Sequence, residues 1–267
     1  MNPVLIPFHR LALSLGLVAL SIALSRRWSL GIERDLGLGA VRAAVQLIAI
    51  GYVLLVLFEH QRPLLVMLSL AVMLTIASVT ASRRVEHGPP SRVLLPRAFA
   101  AIGAGALVAL LPVFAWIVPP SPWFEARYLV PIGGMMLSNA MNTVAQVFER
   151  VFAQSSSESA TVEQWLALGA TPRQALASIT RAALRAAMIP TINALVTVGL
   201  VALPGMMTGQ ILSGAAPEQA VRYQLVVMYQ LVAVAAVSGS IAAWFARRLL
   251  FTEQAQLRAA WTRAKGA

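Results

Sequence analysis

The chain has 267 residues, of which 58% are hydrophobic and 12% are charged, and its mean hydropathy is +0.74. An ordinary soluble domain carries about 25% charged residues, so much of this surface must face lipid rather than water. The long apolar runs lack the alternation of a transmembrane β-barrel, which predicts an all-α, polytopic integral membrane protein. The absence of cysteine excludes disulfides, thiolate nucleophiles and Cys-based metal sites.

Seven apolar stretches are long enough to cross a membrane. They cover residues 4–24, 36–58, 63–81, 98–118, 129–148, 187–212 and 224–245. Arg26 and Arg27 follow the first stretch, whereas a secretory signal places its positive charges before the apolar region. We therefore expect seven transmembrane helices, with cleavage near Ala23 as the alternative for the first.

The net charge of +11 is explained by topology rather than by nucleic-acid binding. If the amino terminus lies outside, 16 of the 21 Lys and Arg residues fall in inside segments. The outside segments then contain only Arg10, Arg62, Arg127 and Arg222, and Arg42 lies within a span. This bias predicts an N-out/C-in orientation.

Residues 149–186, between the fifth and sixth stretches, form the only sizeable inside connection. Residues 154–159 are polar and predict a flexible linker, after which a helical pattern begins at Thr161 and ends at Gly169. Thr171 and Pro172 then supply an N-cap and a proline at the first helical position, so a second helix leads into the sixth stretch. We expect these helices, at about 158–186, to lie against the inner membrane face.

This connection suits docking to another protein, because Trp165, Leu166 and Leu168 form an apolar knob and Arg173 can bind a carboxylate. An amphipathic helix that rests on the bilayer is the alternative. The candidate docking residues are Glu163, Trp165, Leu168, Gly169, Pro172 and Arg173.

The chain resembles known proteins in two ways, through this segment and through longer runs elsewhere. Glu163, Gly169 and Ile179 have the spacing of the cytoplasmic coupling segment of ATP-binding cassette (ABC) permeases, which the segment resembles. Longer runs, at 32–54, 131–142 and 189–212, resemble the bacterial FetB-type iron-export permease family, which also includes plant membrane subunits linked to aluminium tolerance. The likeness covers about residues 11–250, and PGMMTGQIL at 204–212 is its most specific block.

The resemblance implies a permease domain at 1–250 and a cytoplasmic tail at 251–267. It further implies a homodimer in the cell inner (plasma) membrane that pairs with a cytoplasmic ABC ATPase and exports iron or another metal ion. ATP and Mg would be bound by that partner, because Lys265 is the only lysine here and no P-loop can form. We expect no cofactor and no enzyme activity in this chain; the three histidines, His9, His60 and His87, lie in or beside loops and cannot converge.

Polar side chains within apolar stretches are the candidates for a translocation path or a dimer seam. On the fifth stretch they recur with the spacing of one helix face, at Met135, Asn139, Asn142, Gln146 and Glu149. The sixth stretch carries further polar and methionine side chains around Pro204, which should break or kink its helix. The full candidate set is Arg42, Gln46, Met135, Asn139, Asn142, Gln146, Asn193, Met206, Met207 and Gln210.

Structural roles are the alternative for these side chains. Membrane amides commonly form interhelical hydrogen bonds, methionine commonly fills gaps, and Arg42 could extend to the headgroups. The sequence assigns no metal ligand. A stand-alone secondary transporter or channel is the rival function, but it would require an ion-coupling carboxylate or a clear inverted repeat.

Overall fold

A computed structural model describes Pro7 and residues 13–258, and within that part the chain forms ten α-helices and two isolated β-bridges. The helices are α1 (Leu15–Arg27), α2 (Glu33–His60), α3 (Pro63–Arg83), α4 (Ser91–Pro112), α5 (Ala126–Ser157), α6 (Ser159–Ala167), α7 (Pro172–Ala175), α8 (Ala177–Thr197), α9 (Gly205–Leu212) and α10 (Pro217–Leu250). The prediction of an all-α protein is confirmed.

Four helices of the described chain are long and apolar enough to cross a membrane. They are α2, α3, α4 with the π-helical turn Val113–Ile117 that follows it, and α10, and they contain the second, third, fourth and seventh predicted stretches. The fifth stretch lies within α5, whose amides lower its hydropathy, and the sixth is divided between α8 and α9. The first stretch begins outside the described residues, apart from Pro7, and ends within α1.

The chain divides by its internal contacts into two units, residues 1–61 and 62–267. In the first unit, the Ser25 hydroxyl donates a hydrogen bond of 2.7 Å to the Glu33 carboxylate, which fixes the turn between α1 and α2. Arg42 and Gln46 both lie on α2 and are exposed within this unit.

The second unit is a helical bundle whose core is formed by α3, α4, α5, α8 and α10. Small residues allow close helix contacts, as is common in membrane proteins. A Cβ added to Gly105 of α4 would lie 2.8 Å from the Ser238 Cβ of α10, and one added to Gly239 would lie 3.1 Å from a Thr143 methyl of α5. The first contact joins α4 to α10 and the second joins α10 to α5, which also packs against α3, α4 and α8.

The predicted flexible linker at residues 154–159 is wrong, because α5 continues to Ser157 and α6 begins at Ser159. Phe152 and Ser155 are fully buried, so core packing extends the helix through a polar sequence. Of the predicted tail, residues 251–258 fold back, with the Arg258 backbone N–H donating to the Leu250 carbonyl at 2.8 Å. The rest of the tail lies outside the described residues.

Candidate functional site

Helix α5 carries the predicted polar stripe on one face, since Met135, Asn139, Asn142, Gln146 and Glu149 all lie within a continuous helix. The structure divides this stripe into three parts. Met135 lines one cavity, Asn142 and the residues after it line another, and Asn139 lies between them along the helix.

Asn139 joins three helices. Its side-chain N–H donates to the Leu231 carbonyl of α10 at 2.8 Å, and its amide oxygen accepts a hydrogen bond from the buried Thr191 hydroxyl of α8 at 3.1 Å. Both halves of the amide are thus engaged within the protein. This geometry favours the structural alternative, interhelical hydrogen bonding, for Asn139.

The next residues of the stripe line a cavity of about 390 Å³, which we call the arginine pocket. Its lining comprises Arg84, Asn142, Ala145, Gln146, Glu149 and Arg150. Arg84, just after α3, donates a hydrogen bond of 2.9 Å to the Asn142 amide oxygen, which links the end of α3 to α5. The Gln146 side chain makes no hydrogen bond to the described residues and is free to contact a solute.

Glu149 fixes the loop between α3 and α4 against the arginine pocket. Its carboxylate accepts hydrogen bonds from the backbone N–H groups of Glu86 at 2.7 Å and His87 at 3.2 Å, and it contacts the His87 imidazole at 2.5 Å. Gly88 follows in the same loop with φ +98°, and a Cβ there would lie 2.5 Å from the Phe152 ring. The loop is therefore held both by charge-assisted hydrogen bonds and by close packing.

A second cavity lies where the sixth stretch is interrupted. Helix α8 ends at Thr197, a turn follows in which the Gly199 N–H donates to the Ala202 carbonyl at 3.0 Å, and α9 begins after Pro204. Gly199 has φ +82°, a conformation that favours glycine. The predicted helix break is confirmed, although it begins at Val198, several residues before the proline.

This helix-break cavity has a volume of about 250 Å³. It is lined by Met135, Ala194, Thr197, Val198, Ala202, Pro204, Gly205, Met206, Gln224, Val227, Met228 and Leu231. The Gln224 side chain is 6% exposed, and its amide oxygen has no hydrogen-bond partner among the described residues. An unpaired buried acceptor costs about 1–3 kcal/mol, so this oxygen marks a polar position in a largely apolar cavity.

The other candidate residues of the sixth stretch do not line either of these two cavities. Asn193 is exposed on α8. Met207 and Gln210 are partly buried on α9, and the Gln210 amide oxygen is buried without a partner in the described chain. Across residues 7 and 13–258, no three His, Cys, Asp or Glu side chains gather into a group that could hold a metal ion.

The predicted coupling segment forms the expected helix, turn and second helix. Gly169, with φ +86°, and Ala170 donate backbone hydrogen bonds to Leu166 and Trp165, which ends α6 in a Schellman motif. Thr171 then caps α7 through a capping box with Gln174, and Pro172 occupies the first helical position.

One face of this segment is anchored and the other is open. Val162 is 1% exposed, and Leu176 and Ile179 are fully buried. By contrast, Trp165 is 54% exposed and Leu168 is 81% exposed, and Glu163, Gly169 and Arg173 are also exposed. The segment thus leaves an aromatic, an aliphatic and a cationic side chain exposed, and tryptophan and arginine are enriched at the centres of protein interfaces.

Sequence reasoning missed His87 and Gln224. His87 lies 62 residues from Glu149, and no local pattern indicates that their side chains meet. Gln224 is the first residue of the seventh stretch, and no local pattern indicates that it lines a cavity.

Comparison with protein families places the chain in a known group. Residues 8–251 match the model described as Uncharacterised protein family UPF0014. The match covers all of the second unit's described helices and nearly all of the first unit. No solved structure matches the chain.

Several relatives are similar over most of their length. The Synechocystis UPF0014 membrane protein slr1647 is 40% identical over 80% of this chain and 82% of its own. The Escherichia coli probable iron export permease protein FetB is 36% identical over 96% of this chain and 97% of its own. The Arabidopsis thaliana protein ALUMINUM SENSITIVE 3 is 33% identical over 92% of this chain and 88% of its own.

The Synechocystis relative is described as a membrane protein and the Escherichia coli relative as a permease, which agrees with the apolar helices of this chain and indicates transport rather than catalysis. The family match and the FetB relative confirm the resemblance inferred from the sequence. The chain is therefore a membrane-embedded member of the UPF0014 family.

Proposed function

We propose that this chain is the permease subunit of an ABC exporter, and that it moves a metal ion outward with energy from a separate ATPase. The substrate is suggested by the FetB relative, described as a probable iron export permease. In this proposal the chain itself binds no nucleotide, and the ATPase binds ATP and Mg. The working unit is a homodimer in the cell inner (plasma) membrane with two ATPase subunits.

The observation that carries the proposal is the exposed surface of α6 and the turn after it. Trp165 and Leu168 project from a segment that Val162, Leu176 and Ile179 anchor to the bundle. Neighbouring exposed apolar side chains mark a contact with protein or with membrane, and we propose a protein partner here because the exposed charges of Glu163 and Arg173 belong to the same segment. Because the anchor is rigid, force applied by a partner to α6 would pass through α7 to α8 and the core.

The two cavities support a route for the transported ion through the second unit. The arginine pocket and the helix-break cavity lie along one face of α5, with Asn139 and its partners on α8 and α10 between them. Movement of α8 relative to α5 would strain or break the hydrogen bond between Thr191 and Asn139. We propose that this bond separates the two cavities in the resting protein and that ATPase-driven movement of α8 opens it.

The proposal is tested by transport in sealed vesicles that contain the purified permease and its ATPase. We expect Fe²⁺ to cross the membrane only when ATP and Mg are supplied on the side of the ATPase. Vesicles with the permease alone are the control and should show no transport. Fe²⁺ flux through the permease alone, without ATP, would instead favour a stand-alone secondary transporter or channel.

The orientation is tested separately. We propose seven spans with the amino terminus outside and the carboxyl terminus inside, supported by the distribution of arginine. A reporter that is active only in the cytoplasm should function when fused after Lys265 and fail when inserted in the connection at 119–122. The reverse pattern would contradict the charge argument and would place α6 on the wrong side for a cytoplasmic ATPase.

A further inference from the structure

We propose that the helix-break cavity binds a soft monovalent cation, of the Cu(I) and Ag(I) class, through the thioethers of Met135, Met206 and Met228. The use of such a site in transport rests on the proposed function. Binding itself requires only this chain.

The methionines reach the cavity from three different helices. Met135 belongs to α5, Met206 to the first turn of α9 and Met228 to α10, so three of the ten methionines in the chain line one small space. Met228 is buried and the other two are partly buried. Thioether sulfur is a soft ligand that selects Cu(I) over harder divalent cations.

The lining also limits the charge of the ion. It contains no Asp, Glu, His or Cys among its residues, so no anionic ligand is present to neutralise a divalent cation. A monovalent ion carries a smaller desolvation cost and can be held by neutral ligands. The cavity therefore offers Fe²⁺ none of the carboxylate or imidazole ligands that it prefers, so we expect Fe²⁺ to pass through it without being retained.

Gln224 supplies an independent indication of a ligand. Its amide oxygen is buried in the cavity lining and has no partner in the described part of the chain. This oxygen is shielded from the cavity as it stands, and rotation of the side-chain amide would bring it to a bound cation or to that cation's water. Apolar packing alone does not require a glutamine here, because a leucine would fill the same wall without leaving an unpaired acceptor.

The interruption between α8 and α9 supplies further electrostatic features. The carboxyl end of α8, at Ala194, Thr197 and Val198, reaches the cavity and carries a partial negative charge. The amino end of α9 carries the opposite partial charge, so the two ends largely offset one another. The thioethers and the Gln224 oxygen then determine which ion is bound.

The test measures binding of Ag⁺, a redox-stable probe of this class, to the purified full chain in detergent and chloride-free buffer. We expect Met206→Leu and Met228→Leu each to weaken the tightest Ag⁺ binding by about ten-fold or more in calorimetric titration. Met136→Leu is the matched control, because Met136 is fully buried beside Met135 on α5 but does not line the cavity. Leucine nearly conserves the volume of methionine, so all three variants should elute from size exclusion as the unaltered protein does.

X-ray absorption of Ag⁺ bound to the unaltered chain tests the same site without relying on variants. Sulfur atoms in the first coordination shell would support the proposal, and a shell of oxygen and nitrogen alone would overturn it. Equal Ag⁺ affinity of the Met206→Leu, Met228→Leu and Met136→Leu variants would also overturn it. These outcomes can be distinguished from those of the vesicle assay. If Fe²⁺ transport is ATP-driven but Ag⁺ binding does not depend on the methionines, the proposed permease function stands and the proposed cation site is rejected.

Discussion

Replacing Leu168 with aspartate is expected to detach the chain from the ATPase that we propose as its partner, while leaving the chain folded. Leu168 is 81% exposed in the free chain, so its side chain contributes little to the stability of the bundle. In a docked complex the same side chain would be buried, and loss of a hot-spot side chain at an interface costs about 2 kcal/mol or more, roughly 30-fold in affinity. Co-purification of the ATPase with the variant should fall accordingly, and ATP-driven transport with it.

Ser178→Asp is a suitable control because Ser178 is also exposed but lies on α8, after Arg173, the last of the candidate docking residues. It adds the same charge and should retain the ATPase. Arg173→Glu tests the polar part of the surface, where a reversed charge would repel a carboxylate on the partner. If Leu168→Asp and Arg173→Glu both co-purify with the ATPase as the unaltered chain does, the segment is not the docking surface.

The docking segment was the feature that could best be predicted from sequence. Its helix end at Gly169 and its restart at Thr171 depend on neighbouring residues alone, and both match the structure. Val162 is buried within α6, and Leu168, which follows the last residue of that helix, is exposed. The identities of neighbouring residues are therefore sufficient to predict where such a helix ends and the next one begins.

Features that depend on contacts between distant segments could be predicted only in part. The polar face of α5 was evident from its spacing, but the spacing did not indicate that Asn139 would bond to α8 and α10 while Gln146 faces a cavity. The pairing of Glu149 with His87 joins two segments of the chain that no periodic pattern connects. Likewise, Pro204 predicted a break in the sixth stretch, but the earlier end of α8 depends on the turn at Gly199.

The dependence on contacts between distant segments also explains why the predicted linker at residues 154–159 was wrong. Consecutive serines there have weak helix propensity, and the sequence predicted a linker. Burial of Phe152 and Ser155 against the bundle outweighs that propensity, which tertiary packing commonly does.

The second large effect is expected in the arginine pocket, where Gln146→Leu and Asn142→Leu should block transport without weakening the fold. The Gln146 amide makes no hydrogen bond to the described residues, so a leucine removes only its capacity to contact a solute. Asn142→Leu also removes the acceptor of the Arg84 hydrogen bond, but both side chains are exposed and Arg84 can turn to water. In each case we expect transport to fall by about ten-fold or more, as for the loss of a positioned polar contact, while melting temperature and ATPase co-purification stay unchanged.

Asn139→Leu is the matched comparison, since it makes the same substitution one turn away on the same face of α5. It removes both interhelical hydrogen bonds and leaves the Thr191 hydroxyl buried without its partner, so it should lose roughly 0.6 to 2 kcal/mol of helix association. Stability, yield and transport should therefore decline together in this variant. A parallel decline in the Gln146→Leu variant would assign Gln146 to packing and remove the arginine pocket from the route, because a side chain that only contacts the solute has no structural hydrogen bond to lose.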